Sequence, residues 1–232
     1  MSVSLPRAAL IVLAALLFTG AVVTGSAWSA ETGAAPEDEA EGIPFKVTAQ
    51  AEDLAKALEA APSVGLPDAK GPVLYAVGFR SCPTCLAFKA GEQERLIAQG
   101  VDLRWVMYAR RDHEGKPRSK PGERAMVAEL WRTRDFALWQ RWYAMEPAVF
   151  YETQPLPPSA DTDPARMALV DQSRMLVEKL ADIAEANGQE LAIPALFWRD
   201  SKTGQWMGSI GYSEKTFPLV RDSLLGTAEA GH

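Results

Sequence analysis

The chain has 232 residues, a formal net charge of −6 and two cysteines. The acidic balance argues against a nucleic-acid partner, and two cysteines are too few to staple a chain of this length, so its core must be hydrophobic. The length suits one domain carrying an insertion.

Residues 1–29 place Arg7 ahead of an apolar run, Ala8–Val23, that fades into small residues at Gly25, Ser26, Ala27 and Ser29. That is the pattern of an export signal, either cleaved after Ala27 or Ser29 or kept as an N-terminal anchor. The remainder is expected in the periplasm or another extracytoplasmic space, tethered in the second case. Residues 30–50, which include ETGAAPEDEAEG, are acidic and small and read as a tether and linker. Residues 51–70 read as a short linker helix and loop, with Leu54 and Leu58 on one face and Pro62 as the stop. Folded sequence is expected from near Ile43 to about Leu225, with the main domain over 71–226 and a tail at 227–232.

Within that domain, PVLYAVGF (Pro72–Phe79) is an apolar run of β formers and reads as a buried strand. A helix follows from Pro83, its apolar Leu86, Phe88, Leu96 and Ile97 set against Lys89, Glu92, Glu94 and Arg95, and Gly100 stops it. Val101–Ala109 reads as a second strand. Strand, helix and strand make a parallel βαβ unit with FRSCPTCLAF at the first strand-to-helix junction. A charged Gly/Pro loop over Arg111–Gly122 leads into a helical insertion over 123–187. One helix is expected over Glu123–Met145, and another from Asp163, with Pro164 in its first turn, to Asn187 and Gly188. Leu169, Leu176, Leu180 and Ile183 mark the apolar face of the second. Ala195–Trp198 and Gln205–Ile210, joined by DSKTG, read as a hairpin before a last helix, Phe217–Leu225. Trp131, Phe136, Trp139, Trp142 and Tyr143 are read as packing, the alternative being a groove for unfolded polypeptide.

Cys82 and Cys85 admit three readings. A zinc site needs a second ligand pair, and none is visible, so no metal is expected. A structural clip between cysteines three apart closes a tiny loop and stabilises little. A redox pair needs an accessible thiol at a helix start and a second thiol one turn on, which CPTC after a strand supplies.

Three stretches, CPTC after an apolar strand, AIPALFW (Ala192–Trp198) and GQWMGSIGY (Gly204–Tyr212), make the chain resemble a periplasmic thioredoxin-fold protein of the DsbC/DsbG type. The resemblance implies an α/β thioredoxin-like fold with a helical insertion between the CxxC unit and a cis-proline hairpin. It implies Cys82 as the attacking thiol, Cys85 as the resolving thiol, Pro83 and Thr84 as tuning residues, and Pro194 as the cis proline. Ile193 would pair its backbone with an extended substrate segment. Arg80 either lowers the thiol pKa or points to solvent. The implied activity is thiol-disulfide exchange on cysteine-bearing proteins, isomerase-like, without a cofactor beyond the disulfide itself, and reset by a membrane or periplasmic redox partner. Residues 31–70 look too short and polar for the dimerisation domain of those isomerases, so a monomer is expected. A non-enzymatic holdase or a copper(I)-binding protein is the rival reading.

Overall fold

The computed structural model describes residues 41–226; the segment read as signal or anchor, most of the expected tether and the tail lie outside the described residues. β2 (Val73–Gly78) and β3 (Asp102–Met107) pair in parallel, from Val73 beside Asp102 to Gly78 beside Met107. The helical stretch between them is the crossover that parallel strands require. β4 (Ala195–Arg199) and β5 (Trp206–Ile210) form the antiparallel hairpin, and β4 also pairs antiparallel with β2, Val77 facing Ala195. A two-residue strand, β1 (Phe45–Lys46), adds to β5, and the sheet order is β1-β5-β4-β2-β3. Leu74–Gly78 and Ala195–Trp198 are buried residue after residue, as strands covered on both faces must be. This mixed sheet, with its crossover after β2 and helices inserted between β3 and β4, is a thioredoxin-like α/β fold.

The stretch read as linker belongs to the fold. α1 (Ala51–Ala60) sinks Leu54 and Leu58 into the core. Val64 exchanges backbone hydrogen bonds of 2.9 and 2.8 Å with Trp105 on β3. Thr48 and Ala49 donate their backbone N–H groups to Asn187 Oδ1 at 2.9 and 3.0 Å, and Asn187 Nδ2 donates back to the Ala49 carbonyl. The physical reason is the sheet's two open edges: β1 pairs the β5 side, Val64 the β3 side, and edges left bare would invite other strands.

The single helix expected over 83–100 is broken into α2 (Pro83–Phe88), a π turn (Lys89–Gln93) and α3 (Glu94–Ala98). The extra residue of the π turn swings Glu92 and Gln93 inward, where Gln93 Oε1 accepts from Trp105 Nε1 at 3.0 Å. Glu92, expected on the solvated face, is therefore buried. Gly91 sits under Tyr212, whose hydroxyl would lie 2.7 Å from a Cβ at that position.

The insertion also differs from one long helix. α4 (Pro121–Thr133) ends where Arg134 takes φ 55°, and Asp135 then caps α5 (Phe136–Ala144) by accepting from Leu138 N–H at 2.9 Å. α6 (Pro147–Thr153) has no counterpart in the sequence reading. α7 (Pro164–Ala186) starts as expected, with Asp163 Oδ1 accepting from Ala165 and Arg166 N–H at 2.9 and 3.3 Å. Its buried stripe runs through Arg166, Val170, Ser173 and Leu180, with Leu169 and Leu176 only partly covered. Two polar residues can occupy that stripe because they have partners. Arg166 pairs with Glu129 of α4 at 2.7 Å and donates to the Ala125 carbonyl, and Ser173 bridges the Val170 carbonyl and Ala109 N–H. The five insertion aromatics are buried: Trp139 stacks between Phe136 and Tyr143, at 5.5 and 4.6 Å, and meets Trp105. They form a core, not a groove. α8 (Phe217–Leu225) closes at Gly226, φ 73°. Among the described residues no helix is long and apolar enough to cross a membrane.

Candidate active site

β2 ends at Gly78, and the chain turns through Phe79, Arg80 and Ser81 to Cys82, the N-cap of α2. A side chain at position 78 would crowd Cys85 Sγ and the Trp105 ring, each about 3.1 Å from where its Cβ would stand. Glycine therefore lets Cys85 pack against the strand end. Cys82 and Cys85 are joined as a disulfide, with Cα atoms 5.2 Å apart. Pro83 occupies the first helical position, where its missing N–H costs nothing, and Thr84 is half-buried after it. The nearest donor is then Cys85, whose backbone N–H reaches Cys82 Sγ at 3.0 Å. In the reduced protein that bond favours the Cys82 thiolate, as does the positive end of the helix.

The hairpin supplies the opposite wall. The Ile193–Pro194 peptide is cis, and the Ile193 carbonyl oxygen lies 3.6 Å from Cys82 Sγ. Cys82, Cys85, Ile193 and Pro194, more than 100 residues apart in two groups, are thus brought to one place. One expectation is corrected here: Cys82 is only 2% exposed. Its sulfur is enclosed by Cys85 on one side and the Ile193 carbonyl on the other.

Arg80 does not reach toward solvent. It is 3% exposed, donates through Nε to the Trp142 carbonyl at 3.2 Å and through a terminal nitrogen to the Met145 carbonyl, and lies over the Tyr143 ring. Its charge is spent on the carboxyl end of α5, which makes it an anchor between the active-site turn and the insertion. Three residues unmarked in the sequence come to the site instead. Arg110 donates to Ser81 Oγ at 3.0 Å, next to Cys82, and covers the Phe79 ring at 4.3 Å. Tyr108, edge-on to Phe79 at 5.6 Å, has its hydroxyl pushed up to about 12 by burial. Glu123, at the start of α4, is 4% exposed with Oε1 unpartnered among the described residues. Burial raises its pKa, while Ser119, the Arg110 charge and the backbone N–H groups of Arg80 and Lys120 pull the other way.

Arg110 was readable in principle. Parallel pairing sets Gly78 beside Met107, so residues just past β3 must lie beside residues just past β2. Nothing in the pattern marks Glu123, which arrives by tertiary packing of α4.

In comparisons with known proteins, no family model and no curated protein matches this chain. Solved structures do resemble it. Pseudomonas aeruginosa DsbA2 is similar at 20% identity and TM-score 0.41, over 74% of this chain and 96% of that one. The thiol-disulfide exchange protein alpha-DsbA2 of Wolbachia pipientis is similar at 13% identity and TM-score 0.44, over 77% and 94%. A thioredoxin-like oxidoreductase from Silicibacter pomeroyi DSS-3 is similar at 17% identity and TM-score 0.42, over 75% and 97%. None of these three is described as DsbC or DsbG, the type that the sequence resembles.

Proposed function

We propose that this protein is an exported thiol-disulfide oxidoreductase that acts on cysteine-bearing proteins through Cys82 and Cys85. The observation that carries the reading is the disulfide held between a helix start and the Ile193 carbonyl, with the Cys85 N–H on Cys82 Sγ. A structural clip would not need either neighbour.

In the oxidising direction a substrate thiolate attacks Cys82 Sγ. A substrate–Cys82 disulfide forms, the Cys82–Cys85 bond breaks, and its electron pair leaves on Cys85 sulfur. A second substrate thiolate then attacks the substrate sulfur of that mixed disulfide, and the Cys82 thiolate departs. The substrate has lost two electrons and the pair has gained them; reduction runs the same steps backwards. Cys82 suits the leaving role because the Cys85 N–H and the helix start receive the charge. Because Cys82 is nearly covered, an incoming segment must first dock along Ile193 and open that cover, by adding as a strand to the hairpin entry. A redox partner outside the cytoplasm resets the pair. Residues 45–64 are built into the domain, which supports a monomer with weak isomerase activity.

Insulin reduction by dithiothreitol tests the reading. Addition of the protein should speed insulin precipitation, and the Cys82→Ser variant should not. A trace at background would instead support a holdase or a copper(I) carrier. Equilibration with glutathione then sets the direction, a potential near −270 mV marking a reductase and one near −120 mV an oxidant, on roughly the scale of thioredoxin and DsbA.

A further inference from the structure

A groove of about 420 Å³ is lined by Phe79 and Tyr108 and by Ala192 and Ile193, the last with its carbonyl 3.6 Å from Cys82 Sγ. Its charge is one-sided. Arg110, Arg111, Arg118 and Arg174 line it, against the carboxylates of Asp112 and Glu178. Glu178 is already taken by Arg111, and Arg174 pairs with Asp171 at 2.9 Å and holds the carbonyls of Ala109 and Arg110. Neither Arg110 nor Arg118 has an ion-pair partner among the described residues, and Arg110 Nε is buried with no hydrogen-bond partner there. Arg110 is not free to turn away, since one terminal nitrogen bonds both Ser81 Oγ and the Arg118 carbonyl, at 3.0 and 2.6 Å. Glu123 offsets part of the Arg110 charge, yet in a chain of net charge −6 an arginine held on Ser81, next to Cys82, with the exposed Arg118 on the same groove needs an explanation.

We infer that the groove is a specificity subsite for an acidic stretch of substrate polypeptide, taking Asp or Glu side chains that flank the reacting cysteine. This rests on the redox reading of the same site. A segment paired along Ile193 turns alternate side chains toward one face, so residues two along from the cysteine face the same way as it does. Phe79 and Tyr108 meet the apolar part of such a side chain, the remaining terminal nitrogen of Arg110 donates to its carboxylate, and Arg118 can take it in the forked geometry that guanidinium favours. The consequence is selection by charge: acidic segments are drawn in, and lysine-flanked cysteines are repelled.

The test separates binding from exchange. Three fluorescein-labelled peptides, alike except for Glu, Gln or Lys two residues to either side of a central residue, are made with serine at the centre so that no covalent bond forms. Anisotropy titrations against the oxidised protein should give the order Glu, Gln, Lys, with about a tenfold gap between the ends that narrows with added salt. Arg118→Glu, on an exposed loop, should reverse the order. The same order in wild type and variant, or equal binding of all three, overturns the subsite. The cysteine versions are then followed for exchange. Exchange without charge-ordered binding sinks the subsite and keeps the redox reading; charge-ordered binding without exchange does the reverse.

Discussion

Cys82 is where opposing effects meet. Burial and the Ile193 carbonyl at 3.6 Å, an acceptor for S–H, favour its neutral thiol, while the Cys85 N–H at 3.0 Å, the helix start and the Arg110 cation on neighbouring Ser81 favour the thiolate. The hydrogen bond that favours the thiolate is the shorter of the two and is joined by two positive neighbours, so the thiolate should win. In reduced protein the absorbance near 240 nm should rise in a first step below the ~8.5 of a free thiol, assigned to Cys82 by its loss in Cys82→Ser. A first step at or above that value would count against the site. Glu123 offers a second check, in stability. Its folded pKa is raised from 4.5 by burial. Below the unfolded value both states hold the proton and nothing is lost; as pH climbs through the raised folded value, the fold carries a poorly hydrated carboxylate and loses stability. Glu123→Gln removes that loss. The difference in Tm between variant and wild type should shift in the variant's favour from pH 4 to pH 8, and a difference independent of pH would refute the assignment. The sequence offered Arg80 for the role of charged neighbour by adjacency alone. Chain proximity says nothing of direction, and Arg80 turns its charge onto the carbonyls of Trp142 and Met145.

At the scale of elements, boundaries that rest on local chemistry were legible. Asp163 ahead of Pro164 marked the start of α7, and the Gly/Asp turn marked the β4–β5 hairpin, since a cap and a tight turn need particular side chains close in sequence. Breaks decided by distant partners were not. The π turn is held by Gln93 reaching Trp105 and by Tyr212 over Gly91, and no periodicity within residues 83–100 contains those neighbours. The break between α4 and α5 also went unread, the sequence suggesting one helix through Asp135, because Arg134 at φ 55° is what frees Asp135 to cap α5. Asp135→Ala removes the acceptor for Leu138 N–H on an exposed surface and should cost about 1 kcal/mol in urea unfolding. No measurable loss would mean that packing of Trp139 and Trp142 alone fixes the start of α5.

Across the whole molecule, the order of strand, CPTC, helix, strand and late hairpin could be read because its parts alternate in period, and the resemblance carried by CPTC, AIPALFW and GQWMGSIGY turned that order into a thioredoxin-like plan. Its edges could not, because pairing of Val64 with Trp105 and of Phe45 with Gly208 joins segments with no shared pattern. That misreading made a linker of residues that close the sheet. With those residues committed to one domain, sedimentation of the protein lacking residues 1–29 should give the mass of a single chain, and a dimer mass that persists on dilution would refute it. The central claim, that Cys82 attacks and Cys85 resolves, is tested most directly by trapping. With Cys85 replaced by alanine, the mixed disulfide on Cys82 has nothing to resolve it, so non-reducing gels of the protein isolated from cells should show substrate adducts that dithiothreitol removes. Cys82→Ala, which leaves only fully buried Cys85, should show none. Equal adducts on both variants, or none on Cys85→Ala, would contradict the account.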